Sequence, residues 1–162
     1  VSRGLGDVYK RQNAECCIKT TLARQIANWV IIYSPLQMAA DLIENYEGHP
    51  AFRFFRDFDA DCDWSKALQG EIGDYIVVAR RAKDRYFLGA GTDEKARTLV
   101  QKLDFLEPGV TYTATIYADA PDAGRNPEAY LIGKRAVTAR DTIRIEMAER
   151  GGQAITFIPA EK

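Results

Sequence analysis

From Tyr75 onward the chain is a succession of short segments in which apolar and polar residues alternate, each closed by turn chemistry. Side chains on a strand point alternately to its two faces, so a period of two marks a strand with one buried and one wet face. Residues 75–79 (YIVVA) and 86–90 (YFLGA) read as a hairpin across a polar turn. Residues 99–105, 111–117, 131–137, 142–147 and 154–158 continue the series. Pro108-Gly109, the stretch 119–127 and Gly151-Gly152 separate them. Strands that follow one another without helical stretches between them cannot form a parallel sheet, whose crossovers are long. An antiparallel sandwich is expected here.

The first third has a different texture. Thr20 and Thr21 can cap a helix, because a threonine hydroxyl accepts from the orphan amides of a first turn. Leu22, Ile26, Trp29, Val30 and Tyr33 then recur at steps of three and four, the spacing of one helix face. Pro35 ends it, since the residue before a proline is pushed out of the helical region. Residues 36–42 (LQMAADL) are mostly apolar, as in a strand buried on both faces of a parallel sheet. Pro50 opens a second helical stretch with Phe52, Phe55, Arg56 and Phe58. Helix, buried strand and helix fit the last units of a β/α barrel. The expected fold is therefore mainly β: an antiparallel β-sandwich preceded by a helix–strand–helix remnant of a (β/α)8 barrel. The acidic stretch 59–63 (DADCD) reads as the loop between them.

Composition narrows the function classes. With 22 basic and 23 acidic residues the net charge is −1, so no basic footprint points to nucleic acid or an anionic membrane surface. The longest apolar run, 29–33, is far shorter than a bilayer span. Cys16, Cys17 and Cys62 make neither a disulfide framework nor, with the single His49, a zinc-ligand pattern. Residues 2–12 (SRGLGDVYKRQ) resemble the in-frame translation of a transposase adaptor from sequencing libraries, so residues 1–12 are set aside and the natural sequence is taken to begin near Asn13.

Two groups of motifs carry a more specific resemblance. The first comprises 21–25 (TLARQ), 32–42 (IYSPLQMAADL) and 44–47 (ENYE). The second comprises 70–75 (GEIGDY), 103–106 (LDFL), 117–120 (YADA) and 126–130 (NPEAY). In this order they resemble the end of the catalytic barrel and the C-terminal domain of family 97 glycoside hydrolases. Ile43, where members often carry proline, and a short 122–126 loop depart from the pattern. The resemblance implies that 13–60 is the C-terminal remnant of the (β/α)8 barrel and 61–162 an oligomerising β-sandwich. It implies a parent α-glycosidase with a calcium ion, an oligosaccharide substrate, a homo-oligomeric state and a periplasmic address. The family's catalytic acid, its base or nucleophile and its calcium-binding glutamates match no position here, so this chain is expected to hold no catalytic residue and no metal ligand, and the fragment alone is expected to be inactive.

Several acids remain candidates on their own chemistry. Asp41 would sit at the C-terminal end of the last barrel strand, the face where barrel enzymes build their sites, and could accept hydrogen bonds from sugar hydroxyls. Glu44 is a second candidate for substrate binding. A carboxylate that caps the next helix is the plainer account of Asp41. Asp59, Asp61 and Asp63 resemble the start of a calcium loop, but Trp64 stands where an EF-hand needs glycine, so a solvated acidic loop is expected. Trp64, Tyr75, Tyr86, Phe87, Tyr112, Tyr117 and Tyr130 could line a sugar platform, which would make the chain a carbohydrate-binding module without hydrolytic activity. At strand positions aromatics are more often core. Arg80, Arg81, Lys83 and Arg85 cluster at a hairpin turn and read as a solvated edge. The barrel remnant, lacking its neighbours, is expected to expose the helix face at Leu22, Ile26 and Trp29 and the strand at 36–42.

Overall fold

The computed structural model describes residues 19–34, 36–38 and 43–160. Among the described residues three helices, α1 (Leu22–Ile31), α2 (Ile43–Tyr46) and α3 (Phe52–Asp57), precede eight strands. The strands are β1 (Trp64–Glu71), β2 (Tyr75–Ala82), β3 (Arg85–Thr92), β4 (Arg97–Lys102), β5 (Tyr112–Asp119), β6 (Tyr130–Val137), β7 (Thr142–Met147) and β8 (Gly152–Pro159). Every pairing is antiparallel. A six-stranded sheet runs in the order β1-β2-β3-β8-β5-β6, and β4 pairs with β7 in a second, two-stranded sheet. The mainly β sandwich expected from the alternation is thus observed. It includes β1, a strand the alternation did not delimit.

The two sheets enclose the larger core. Val77, Tyr86, Leu88, Ala90, Tyr112, Ala114, Ile155 and Phe157 point inward from the large sheet and meet Ile143, Ile145 and Met147 of β7. Leu103, Leu106 and Phe105 close one end of this layer. Each inward residue is two positions from the next, so the period read from the sequence is the period that fills the core. Tyr86 packs edge-on against Tyr112, with ring centroids 5.6 Å apart. Such an arrangement sets the positive rim of one ring against the negative face of the other.

The other face of the large sheet is covered by helices. Leu22, Ile26, Ala27 and Val30 of α1 and Phe54 of α3 pack on Ala82, Phe87, Tyr117 and Ala154 as a second core. The expected exposure of the α1 apolar face is therefore corrected: Leu22 is 7% exposed, Ile26 is fully covered, and Trp29 is half-buried against Phe55 and Phe58. The physical reason is that the central strands of this sheet are apolar on both faces, β3 being buried at every position from Tyr86 to Thr92, and α1 covers the face that β4 and β7 leave bare. The approach is close because Gly89, Gly91 and Gly152 form a trough on that face. A Cβ at Gly89 would lie 2.7 Å from the Ala27 carbonyl oxygen and 2.8 Å from Val30 Cβ; one at Gly152 would lie 2.7 Å from Arg24 Cα.

Thr21 caps α1 as expected, its Oγ1 accepting the Arg24 amide at 3.1 Å. The helix ends at Ile31, so Tyr33 lies beyond it rather than on its face, and is 58% exposed. Of the strand expected at 36–42, residues 36–38 are not in a strand, and Leu36 and Met38 are 72% and 76% exposed. Residues 39–42 lie outside the described residues, as do Cys16 and Cys17. A strand buried on both faces needs neighbours on both sides, and the large sheet ends at β1 and β6. α3 begins two residues after Pro50, in keeping with the helical stretch read there.

Candidate functional site

α1 carries no acid in its first turn and no base in its last. A helix favours negative charge at its N-terminus and positive charge at its C-terminus, and here the sheet supplies both. At the N-terminal end stands Asp119, the last residue of β5. Its Oδ2 accepts the amides of Ala148 and Gly152 at 2.9 and 3.0 Å. Burial pushes this carboxyl above its ordinary pKa, opposed by the Thr21 hydroxyl, those two amides and the Arg24 charge. Arg24, itself lowered by burial, lies across the glycine trough and donates to the Thr92 carbonyl at 2.8 Å and to Asn28 Oδ1 at 2.9 Å. At the C-terminal end Arg80 of β2 donates to the Ile31 carbonyl at 3.4 Å and lies 4.9 Å from the centre of the Tyr33 ring.

Arg80 is 2% exposed, which corrects its reading as part of a solvated edge. Alternation explains the error. Arg81 points to the opposite face, over the Tyr86 ring, while Arg80 points to the face that α1 covers. Lys83 and Arg85 behave as expected for a hairpin turn. The Lys83 amide donates to Asp63 Oδ2 at 2.7 Å, and its Nζ reaches Asp59 at 3.0 Å.

A cleft of about 540 Å³ opens at the β1–β2 edge, lined among others by Arg24, Gly70, Glu71, Asp74, Tyr75 and Asp93. Its acids are the ones to test for glycoside chemistry, which needs two carboxyl groups about 5–9.5 Å apart across the scissile bond. Asp74 and Asp93 instead converge on Arg97. The guanidinium bonds Asp93 and Thr92, reaches Asp74 Oδ2 at 2.8 Å, and sits 5.6 Å from the centre of the Tyr75 ring. The Arg97 hydrogen bond and the Lys95 amide hold Asp93 at about 2. It is ionised throughout the neutral range and cannot serve there as a proton donor. The cluster ties the start of β4 to the start of β2 and the end of β3; its role is structural.

Asp41 lies outside the described residues. Glu44 is exposed, in the first turn of α2. Asp59, Asp61 and Asp63 lie in the loop before β1, where Asp59 Oδ1 accepts the Asp61 amide at 3.1 Å. Among the described residues no group of three or more His, Cys, Asp or Glu could hold a metal ion. Of the seven candidate platform aromatics, Tyr86, Phe87, Tyr112 and Tyr117 are buried, and only Trp64, Tyr75 and Tyr130 are partly open. Tyr130 stacks on His49, with ring centroids 5.5 Å apart. Sequence reasoning missed Arg24, Arg97 and Asp119, whose partners lie far away along the chain. The two glycines inside β3 were the one local signal, because glycine within a strand often marks the close approach of another backbone.

Comparison with known proteins places this architecture. Residues 61–158 match the family model described as glycosyl-hydrolase 97 C-terminal, oligomerisation. A retaining alpha-galactosidase of Bacteroides thetaiotaomicron is 32% identical over 136 residues, 83% of this chain and 20% of that protein. A glycoside hydrolase family 97 enzyme from Pseudoalteromonas sp. strain K8, solved with acarbose, superposes with a TM-score of 0.85 at 45% identity. The match covers 88% of this chain and 23% of that one. The same enzyme solved as a variant with panose gives 0.84 at 46% identity. The chain thus spans about a fifth of the length of the relatives it matches. With that family model matched over residues 61–158, the chain belongs to glycoside hydrolase family 97 and carries the family's C-terminal domain.

Proposed function

We propose that this chain is the C-terminal part of an α-glycosidase acting on oligosaccharides, and that it serves the parent as a structural and self-associating domain. The observation that carries this reading is the match to a family 97 enzyme over 88% of the chain at 45% identity. In this proposal 13–60 completes the parent's catalytic barrel, 61–162 is the oligomerising sandwich, and 1–12 is adaptor sequence. The catalytic carboxylates and the calcium ion belong to the parent outside this chain, and no step of the chemistry runs through the residues described here. Asp41 and Glu44 are the side chains assigned to sugar hydroxyls. A periplasmic address is part of the same reading.

Four exposed apolar side chains support a covered surface at the junction. Ile32, Tyr33, Leu36 and Met38 are 58–76% exposed and follow one another directly after α1. A solvated loop has no need of such a run, and the rest of the parent is what we assign to it. The test is to assay the full-length parent and the 162-residue chain on aryl α-glucosides and α-galactosides. Hydrolysis by the parent alone is expected. A parent that cleaves neither substrate, or a chain active by itself, sinks the proposal.

A further inference from the structure

We infer that the free edge of β6 is the self-association surface of this domain, and that it pairs antiparallel with β6 of a second copy. The inference rests on the proposed oligomerising role and gives it an address. The large sheet has two edges, β1 and β6. β1 is interrupted by an irregularity between Ala67 and Gln69. It is also tied to the second sheet, with Gln69 Nε2 donating to the Val100 carbonyl at 2.9 Å and to Gln101 Oε1 at 2.8 Å. A bulged and engaged edge is a poor template for another strand. β6 is the opposite case. It pairs in unbroken register with β5 from Tyr130 to Val137, and residues 131–136 are all exposed. Both faces of the strand are bare, whereas β7 alternates buried and exposed residues.

Gly133 points the same way. A Cβ there would meet nothing within 4 Å, and its φ is not positive, so neither crowding nor backbone geometry within this chain asks for glycine. Glycine inside a strand is also found where another backbone comes close. Leu131 and Ile132, 55% and 40% exposed, precede it on opposite faces of the sheet. In a two-fold pairing centred on Gly133, Ile132 faces Lys134 of the second copy and Leu131 faces Arg135. Long basic side chains can lay their alkyl stems over such apolar neighbours while the charge stays in water. Centring on Lys134 would oppose like charges directly, which is unfavourable. Arg135 already donates to the Thr142 carbonyl of its own chain at 2.7 Å, which turns its charge toward β7.

The experiment measures mass by light scattering across micromolar concentrations for the 162-residue chain and its Leu131→Lys/Ile132→Lys variant. A parallel arm oxidises Gly133→Cys, with Val100→Cys as the control, in a background in which Cys16, Cys17 and Cys62 are serine. A dimer weakened about tenfold or more by the double substitution, with cross-linking at 133 and not at 100, is the expected result. These surface changes leave the core intact, and an unchanged circular dichroism spectrum checks that. A dimer indifferent to the double substitution places the contact elsewhere; it overturns the inference and leaves the oligomerising role standing. A monomeric chain from a dimeric parent also overturns the inference alone. A monomeric parent overturns both.

Discussion

Replacing Gly89 by alanine tests whether α1 belongs to the sandwich. The new Cβ would lie 2.7 Å from the Ala27 carbonyl oxygen and 2.8 Å from Val30 Cβ, atoms fixed to the helix that no rotamer change can move aside. Either the helix lifts or β3 bends, and overpacking of this kind costs about 1–3 kcal/mol. Burying Leu22, Ile26 and Val30 contributes about 1.5–3 kcal/mol each, so the helix should stay docked in a displaced seat. At about 2–4 °C per kcal/mol for a domain of this size, the melting temperature should fall by about 2–12 °C. Circular dichroism melting reads this directly. A red shift of Trp29 emission in a Trp64→Phe background reports on the seat itself, because Trp29 packs on α3. Gly124→Ala is the control, since a Cβ there meets nothing within 4 Å. The sign decides the matter. Without a seated helix, alanine in place of a strand glycine should stabilise by about 0.4–1 kcal/mol through the unfolded chain. A Gly89→Ala protein that melts at or above the wild-type temperature refutes the seating.

Three further outcomes can be checked. Thr21→Ala removes the α1 cap and should cost about 0.5–2 kcal/mol in denaturant unfolding, with an unchanged m-value. Arg97→Leu should raise the Asp93 titration midpoint, followed by carboxyl-carbon NMR, from about 2 toward 3.8. The stability lent by that carboxylate is present above 3.8 and lost as pH falls through about 2. Burial holds the folded pKa of His49 below 6.5, so the unfolded chain binds more protons, and stability falls as pH drops below 6.5 through the folded value. His49→Phe, which keeps a ring against Tyr130, should flatten that limb; an unchanged slope would remove His49 as its source.

How much of this was legible in the sequence depends on how local each determinant is. The alternation at Tyr75–Ala82 and Arg85–Thr92 is a property of neighbouring residues, and it named the hairpin before any contact was known. Thr21 announced a helix start for the same reason. β1 escaped because its register breaks between Ala67 and Gln69 and its burial pattern is irregular. Arg80 was misplaced because its burial is decided by a helix 49 residues away, although period two already set it on the face opposite Arg81. The order of the strands, with β8 between β3 and β5, is likewise non-local. Arg24, bonded to Thr92, and Asp119, bonded to Gly152, carried no local sign of their partners.

The position of α1 decides where this chain can be cut. The acidic stretch before β1 has the composition of a hinge, and cutting there would look natural. Yet the helix before it and the strands after it share one core, and Asp59 and Asp63 are bonded to Lys83 across the hairpin turn. A joint pinned on both sides cannot swing. A fusion or truncation made at the acidic stretch would therefore strip the sheet of a wall and free nothing.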